Sequence, residues 1–356
     1  MKNPLGYKSE KGLLFQFAVP SIIAMLVGSL YNIVDQFFIG HSVGELGNAA
    51  TNISFPLSIS CVAIALLFGI GGASAFNISM GAGEKKKAVY YLGNSAVMLF
   101  SCGIVLCVIT LMFLEPLLHF FGSPNKVLDY AKTYTGVIAF GFPFLILTTG
   151  GGHLIRADGR PKVSMICNLT GAIINTFLDA LFVFGLNMGM RGAALATIIG
   201  QILSAIMVIW CLSHCKTVVV GKEHLRVSKK IISRIISLGT APFSNQLAMM
   251  VVQIVMNKSL KYYGSISVYG EAVPIACAGI ITKVNQVFMS FVIGISQGLQ
   301  PITSFNYGAK KYKRVKIAYT FAIKCGFALA IVAFLLFQLV CLLYTSDAAD
   351  DLIGVD

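Results

Sequence analysis

Residues 95–114 of the chain read SAVMLFSCGIVLCVITLMFL, twenty residues without one charged side chain. As an α-helix, a stretch of this length crosses the hydrocarbon layer of a membrane, which is roughly 30 Å thick. A strand of a membrane β-barrel would instead alternate polar and apolar residues over about ten positions, whereas this stretch is apolar on every face. It is therefore predicted to be a transmembrane helix.

Similar stretches recur along the whole chain, which has 356 residues, 56% of them hydrophobic and only 12% charged. A soluble protein has about 25% charged residues. The composition therefore predicts an all-α polytopic membrane protein. We place nine spans, at residues 13–38, 52–78, 92–114, 131–153, 163–186, 192–214, 236–260, 272–298 and 317–340.

The basic residues are distributed unevenly between the predicted loops. Twenty of the 27 Lys and Arg residues fall in the N-terminal arm and in alternate loops, at residues 2–11, 85–87, 156–162, 216–234 and 310–316. Loops rich in Lys and Arg stay in the cytoplasm. The pattern predicts a multi-pass protein of the cytoplasmic membrane with its N-terminus inside, and it explains the net charge of +13 without a nucleic-acid partner.

The first and seventh spans align as an internal repeat. Pro20 and Pro242 correspond at an offset of 222 residues, and the same offset places Asp35 opposite Asn257. A unit of this length holds six spans, so both units would start inside, as a parallel repeat about the membrane normal. We predict a six-helix N-lobe at residues 1–218 and a partial C-lobe, with helices seven to nine, at residues 219–340.

The last residues, CLLYTSDAADDLIGVD, change abruptly from apolar to acidic. The first ten of them resemble the translated read-through of a sequencing adapter. We therefore expect residues 341–356 to be a non-native tail.

Two acidic residues lie inside predicted spans, Asp35 in LYNIVDQFFIG and Asp179 in NLTGAIINTFLDALFVFG. Placing a charge at the centre of a membrane helix costs about 2.5–3.5 kcal/mol on insertion scales, so such residues indicate function. We predict that both carry ion coupling. The alternative is a hydrogen bond between helices or a position near the lipid headgroups.

Two polar residues accompany these acids. Asn175 precedes Asp179 by four residues and therefore shares its helix face, and Thr197 in the sixth span adds a hydroxyl. Either residue alone more often joins two helices than binds a ligand. Oxygen ligands suit a hard cation, so Asp35, Asn175 and Asp179 are predicted to bind Na⁺, or the carboxylates to take a proton, and the sequence does not choose between them.

A proline and several polar residues in the spans are further candidates, and Pro20 and Lys283 each allow two interpretations. Pro20 should kink the first helix, either as a hinge or for packing. Lys283 in the eighth span either faces a wet cavity or extends to the interface. Asn285, Gln286 and Asn257 are further candidates for a cavity lining.

The chain has no phosphate-binding loop, dinucleotide-binding glycine pattern, zinc-protease helix or serine-hydrolase elbow. We therefore predict a transporter rather than an enzyme, without a cofactor, that draws its energy from an ion gradient.

Several segments together resemble the multidrug and toxic compound extrusion (MATE) family. They are the pattern P-x14-VD-x-x-FIG from Pro20 to Gly40, LIRADGRPK at 154–162, N-x3-LD from Asn175 to Asp179, GAALAT at 192–197 and ISQGLQPITSFNYGAKK at 295–311. The resemblance covers residues 12–340. It ends after the ninth helix, which leaves the second bundle incomplete.

The resemblance implies two six-helix bundles with a central cavity that opens alternately to either side of the membrane. It implies export of cationic or amphipathic organic compounds by a protein that we expect to be monomeric, with Asp35, Asn175, Asp179 and Thr197 as the cation site and Pro20 as the bend in the first helix. A lipid-linked saccharide flippase of related architecture is the alternative. Such a protein would have a cavity rich in Arg and Lys, for which Lys283 is the one candidate.

Overall fold

The computed structural model describes residues 4–123, 125–266 and 272–353, and within these ranges every regular element is helical. The α-helices are α1 (Glu10–Val43), α2 (Glu45–Gly81), α3 (Lys85–Met112), α4 (Leu114–Phe120), α5 (Asn125–Ile138), α6 (Phe142–Ala157), α7 (Pro161–Asp179), α8 (Gly189–Ser213), α9 (Lys229–Ile266), α10 (Ala272–Gly308) and α11 (Tyr312–Ile353).

The predicted all-helical membrane fold is confirmed. Eight stretches of the described residues are long and apolar enough to cross a membrane, and each coincides with a predicted span. The remaining predicted span, the eighth at residues 272–298, lies within α10. One detail differs, because the predicted span 131–153 consists of α5 and α6 joined by the short 3-10 turn Ala139–Gly141.

Helices α1 to α8 form one bundle, called here the N-terminal bundle, and α9 to α11 pack on its side. The helices α9 and α10 have nearly the lengths of α1 and α2, and Pro242 lies inside α9 as Pro20 lies inside α1. This correspondence agrees with the predicted repeat. The boundary between the lobes at residues 218/219 and the non-native tail stay predictions, since the tail side chains lie outside the described residues.

The linker between α8 and α9 is bound to the N-terminal bundle at both of its ends. At its start, the buried Asp158 carboxylate accepts hydrogen bonds from the backbone N–H groups of Lys216 (2.8 Å) and Thr217 (2.9 Å). At its end, Asn94 on α3 donates to the carbonyl of Arg226 (3.1 Å) and accepts from the N–H of Ser228 (2.9 Å). The linker is therefore part of the bundle, and α9 begins directly after it.

Helix α2 touches α9 backbone to backbone. A methyl group added at Gly239 would lie 1.9 Å from the carbonyl oxygen of Leu67, and one added at Gly71 would lie 2.2 Å from the carbonyl oxygen of Ile235. Only a residue without a side chain allows two helices to approach this closely.

The same kind of contact joins α2 to α10 near the ends of both helices. A methyl group at Gly81 would lie 2.0 Å from the carbonyl oxygen of Phe305, and one at Gly308 would lie 2.0 Å from that of Ile78. These contacts lie next to the loops that carry Lys85–Lys87 and Lys310–Lys316, and we call this end of the molecule the basic end. The N-terminal bundle and the C-terminal helices are thus closed against each other at the basic end.

Replacement of Gly239 by Ala should lower the free energy of unfolding by about 1–3 kcal/mol, because the added methyl overpacks the contact with Leu67. Unfolding of the purified protein in detergent, followed by heat or denaturant, measures this change. Gly326→Ala on α11 is the control, since its methyl group would meet no atom within 4 Å. Equal stability of the two variants would contradict the backbone contact.

Candidate functional site

The four residues predicted to form a cation site come from three helices of the N-terminal bundle. Asp35 lies on α1 and is 9% exposed, and Asp179 is the last residue of α7 and is 1% exposed. Asn175 lies one turn before Asp179, and Thr197 lies on α8; both side chains are buried. Their helices pack against one another, α1 on α7 and α7 on α8.

A close crossing of α7 and α8 brings Asn175 to Thr197. A methyl group at Gly200 would lie 2.7 Å from the carbonyl oxygen of Gly171, so the two backbones touch. One turn further along α7, the Asn175 amide nitrogen donates to the Thr197 hydroxyl oxygen at 3.4 Å, while that hydroxyl donates to the carbonyl of Ala193 at 3.0 Å. The Asn175 amide oxygen itself is buried and has no hydrogen-bond partner.

Four acceptor oxygens of the site have no hydrogen-bond donor. This holds for Oδ1 of Asp35, Oδ1 of Asn175 and both carboxylate oxygens of Asp179, all of them shielded from solvent. The Asn175 amide is close enough to Asp179 for a weak polar interaction, although no hydrogen bond of ordinary geometry forms. The Asp35 and Asp179 carboxylates also interact with each other electrostatically.

Such an arrangement is costly unless something binds to it. A buried acceptor without a partner loses the hydrogen bonds it had in water, at a cost of about 1–3 kcal/mol and more for a charged group. Two carboxylates near each other add repulsion. A cation or a proton removes both costs, and the ligands are all oxygen atoms, which suits Na⁺ rather than a thiolate-preferring metal.

Two tyrosines that the sequence analysis missed belong to the same cluster. Tyr31 lies one turn before Asp35 on α1, and the buried Tyr134 lies on α5. Both phenol groups interact electrostatically with Asp35 and Asp179. The four-residue spacing between Tyr31 and Asp35 predicts that the two residues share a helix face. The sequence near Tyr134 does not indicate its partners, because they lie on other helices.

The helix that carries Asp179 changes its geometry directly after this residue. Residues Ala180–Gly185 form a π-helical turn, closed by a hydrogen bond from the N–H of Leu186 to the carbonyl of Leu181 (2.9 Å). The predicted span 163–186 is therefore not one uniform α-helix. Turns of this kind are rare and often occur at functional sites.

The remaining predicted residues are Pro20 in the first span and the four candidates for a cavity lining. Pro20 is buried inside α1, four turns before Asp35, and its role as a hinge stays a prediction. Asn285 and Gln286 lie on α10 with exposed side chains. The side chains of Lys283 and Asn257 lie outside the described residues. A cavity lined by these four residues therefore stays a prediction.

The chain matches the sequence pattern of the MatE family over residues 20–181 and 243–350. It is 26% identical over 322 residues to the multidrug export protein MepA of Staphylococcus saprophyticus, and the match covers 89% of this chain and 70% of that protein. It is 27% identical over 316 residues to the MepA of Staphylococcus haemolyticus, covering 87% of this chain and 68% of that protein.

The fold matches solved structures of MATE proteins. A crystal structure of MATE in the straight conformation superposes with a TM-score of 0.84 at 23% identity, covering 93% of this chain and 73% of that one. One in the bent conformation superposes with a TM-score of 0.83 at 23% identity, covering 96% and 76%. At 23% sequence identity, this structural similarity shows a shared fold alone.

Asp179→Asn should leave the free energy of unfolding unchanged within about 1 kcal/mol or raise it, because the neutral amide no longer buries an unpaired charge. Asp158→Asn should lower it by about 3 kcal/mol, because Asp158, also 1% exposed, forms an ion pair with Arg160 (2.7 Å) and accepts hydrogen bonds from the linker. Unfolding in detergent measures both changes. A loss at Asp179 as large as that at Asp158 would assign Asp179 a structural role.

Proposed function

Because the chain belongs to the MatE family, we propose that it is an antiporter that exports cationic or amphipathic organic compounds in exchange for Na⁺ or H⁺. The observation that carries this proposal is the set of unpartnered, buried oxygen atoms on Asp35, Asn175 and Asp179. The two MepA proteins, described as multidrug export proteins, support the class of substrate.

The chemistry of the two carboxylates gives an exchange mechanism. When Asp35 and Asp179 are charged and empty, their negative potential favours an organic cation in the space beside the N-terminal bundle. Binding of Na⁺ or a proton neutralises the pair and removes that attraction. The coupling ion and the substrate then exclude one another, which is the requirement for antiport.

The closed basic end determines to which side of the membrane the candidate site could open in this conformation. Loops rich in Lys and Arg remain in the cytoplasm, so the basic end and the N-terminus are proposed to face inward. The glycine contacts of Gly71 with α9 and Gly81 with α10 then close the cytoplasmic side. This state would admit the coupling ion from outside and release the substrate there, and we propose that a single chain performs the cycle.

A binding competition tests the coupling. A fluorescent organic cation is bound to the purified protein in detergent, and Na⁺ is raised at constant pH or the pH is lowered at constant Na⁺. One of the two ions should displace the fluorescent cation from the unchanged protein. Asp35→Asn and Asp179→Asn should abolish the displacement, because the neutral amides cannot exchange their charge. Asp129→Asn, an exposed acid on α5, is the matched control.

Displacement that survives in both site variants would overturn the assignment of these acids. The same variants in vesicles show whether an imposed Na⁺ or pH gradient drives transport of the fluorescent cation. Transport of a lipid-linked saccharide without an ion gradient would instead support the flippase.

A further inference from the structure

The beginning of the chain packs mainly on the C-terminal helices, and from the N-terminal bundle Met80 on α2 packs against it. Its apolar residues form a hydrophobic core of their own, separate from the main core of the bundle. The buried members of this core are Leu5, Leu13, Leu14, Phe17 and Ala18 from the beginning of the chain, with Ile302, Phe305, Ala318 and Ala322 from α10 and α11.

Arg314, in the first turn of α11, forms the central polar contacts of this region. Its guanidinium forms an ion pair with Glu10 (3.0 Å), donates from Nε to the Asn306 side-chain oxygen (3.1 Å) and donates to the carbonyl of Lys8. The Arg314 and Glu10 side chains are only 20% and 17% exposed, so this pair is screened less by water and salt than a surface pair.

Two further side chains hold the backbone of the first residues. Asn306, which is fully buried, donates to the carbonyl of Leu5 at 3.0 Å. Lys311 donates from its ammonium group to the carbonyl of Gly6 at 2.9 Å. Asn306 lies in the last turn of α10 and Lys311 directly before α11, beside the glycine contacts that close the basic end.

Helix α1 therefore belongs to two parts of the molecule. Its first turns lie in the core with α10 and α11, and the turn that carries Asp35 lies in the candidate cation site of the N-terminal bundle. Between them, Met25 accepts a hydrogen bond from Gln297 (3.2 Å), and the Ser29 and Ser290 hydroxyls bond at 3.0 Å. Separation of the two parts at the basic end must break these contacts or bend α1.

We propose that residues 4–18, called here the N-terminal latch, hold the basic end closed, with Arg314 as the residue that fastens them. Opening of the basic end requires release of the latch from α10 and α11. Because α1 continues from the latch to Asp35, a change of charge at Asp35 acts on the same helix that closes the basic end. This last step rests on the proposed function; the latch itself does not, since it follows from the contacts at the basic end.

Hydrogen–deuterium exchange of the full chain in detergent tests the latch without any transport assay. Arg314→Gln removes both contacts of Arg314 with the latch, at Glu10 and Lys8, together with its hydrogen bond to Asn306, and Glu10→Gln removes only the ion pair. Lys313→Gln removes an equal charge from an exposed neighbour and is the matched control. Exchange of the amides in residues 4–18 should rise about tenfold in Arg314→Gln, the change expected from loss of one charged hydrogen bond, less in Glu10→Gln, and not at all in Lys313→Gln.

The decisive readout lies outside the latch. If the latch holds the basic end closed, exchange should also rise, in the same order of variants, in segments 67–77 of α2 and 235–239 of α9, which face each other and contribute no residue to the core of the latch. Faster exchange confined to residues 4–18 would show that these contacts are local and do not hold the basic end closed, and it would overturn the proposal. Equal exchange in Arg314→Gln and Lys313→Gln would overturn it as well. If Arg314→Gln fails to fold, comparison of Glu10→Gln with Lys313→Gln decides the same question. A negative result in the ion competition would leave this outcome unaffected.

Discussion

A polar group that is buried away from water must find its partner inside the protein, and the architecture of this chain follows from that requirement. It imposes helices on the spans, because only a helix satisfies every backbone group within one segment of a membrane. It also explains the buried polar residues at the basic end. Asn94 and Asp158 are fully enclosed, and each uses its side chain to bind the backbone of the linker between α8 and α9.

The candidate site is where this requirement is left unmet. Asp158 and Asp179 are buried to the same extent, yet the first has partners for both oxygens and the second for neither. Since burial is equal, the difference lies in what surrounds each carboxylate. Asp158 is enclosed by donors and stabilises the fold, whereas Asp179 has no donor on either oxygen and lies near Asp35, so its charge is costly unless a cation or a proton offsets it.

The closed basic end depends on contact between backbones rather than between side chains. At Gly71, Gly81, Gly239 and Gly308, carbonyl groups of the facing helix occupy the space in which a side chain would lie. Lipid tails are as apolar as Leu, so close packing and polar contacts, rather than the hydrophobic effect, hold membrane helices together. Helix α1 connects the basic end to the candidate site.

Much of the molecule was determined by the sequence alone. The length and apolarity of the spans determine the all-helical membrane fold. The cost of placing a charge in hydrocarbon identifies Asp35 and Asp179 as candidate functional residues. The four-residue spacing of Asn175 and Asp179 determines that they share a helix face. The tertiary structure decided the rest: that Tyr134 joins the site from α5, that Asp179 precedes a π-helical turn and that residues 4–18 pack on α10 and α11. Each of these depends on which helices are neighbours, and since periodicity reports only which residues share a face of one helix, it cannot report which other helix that face will meet.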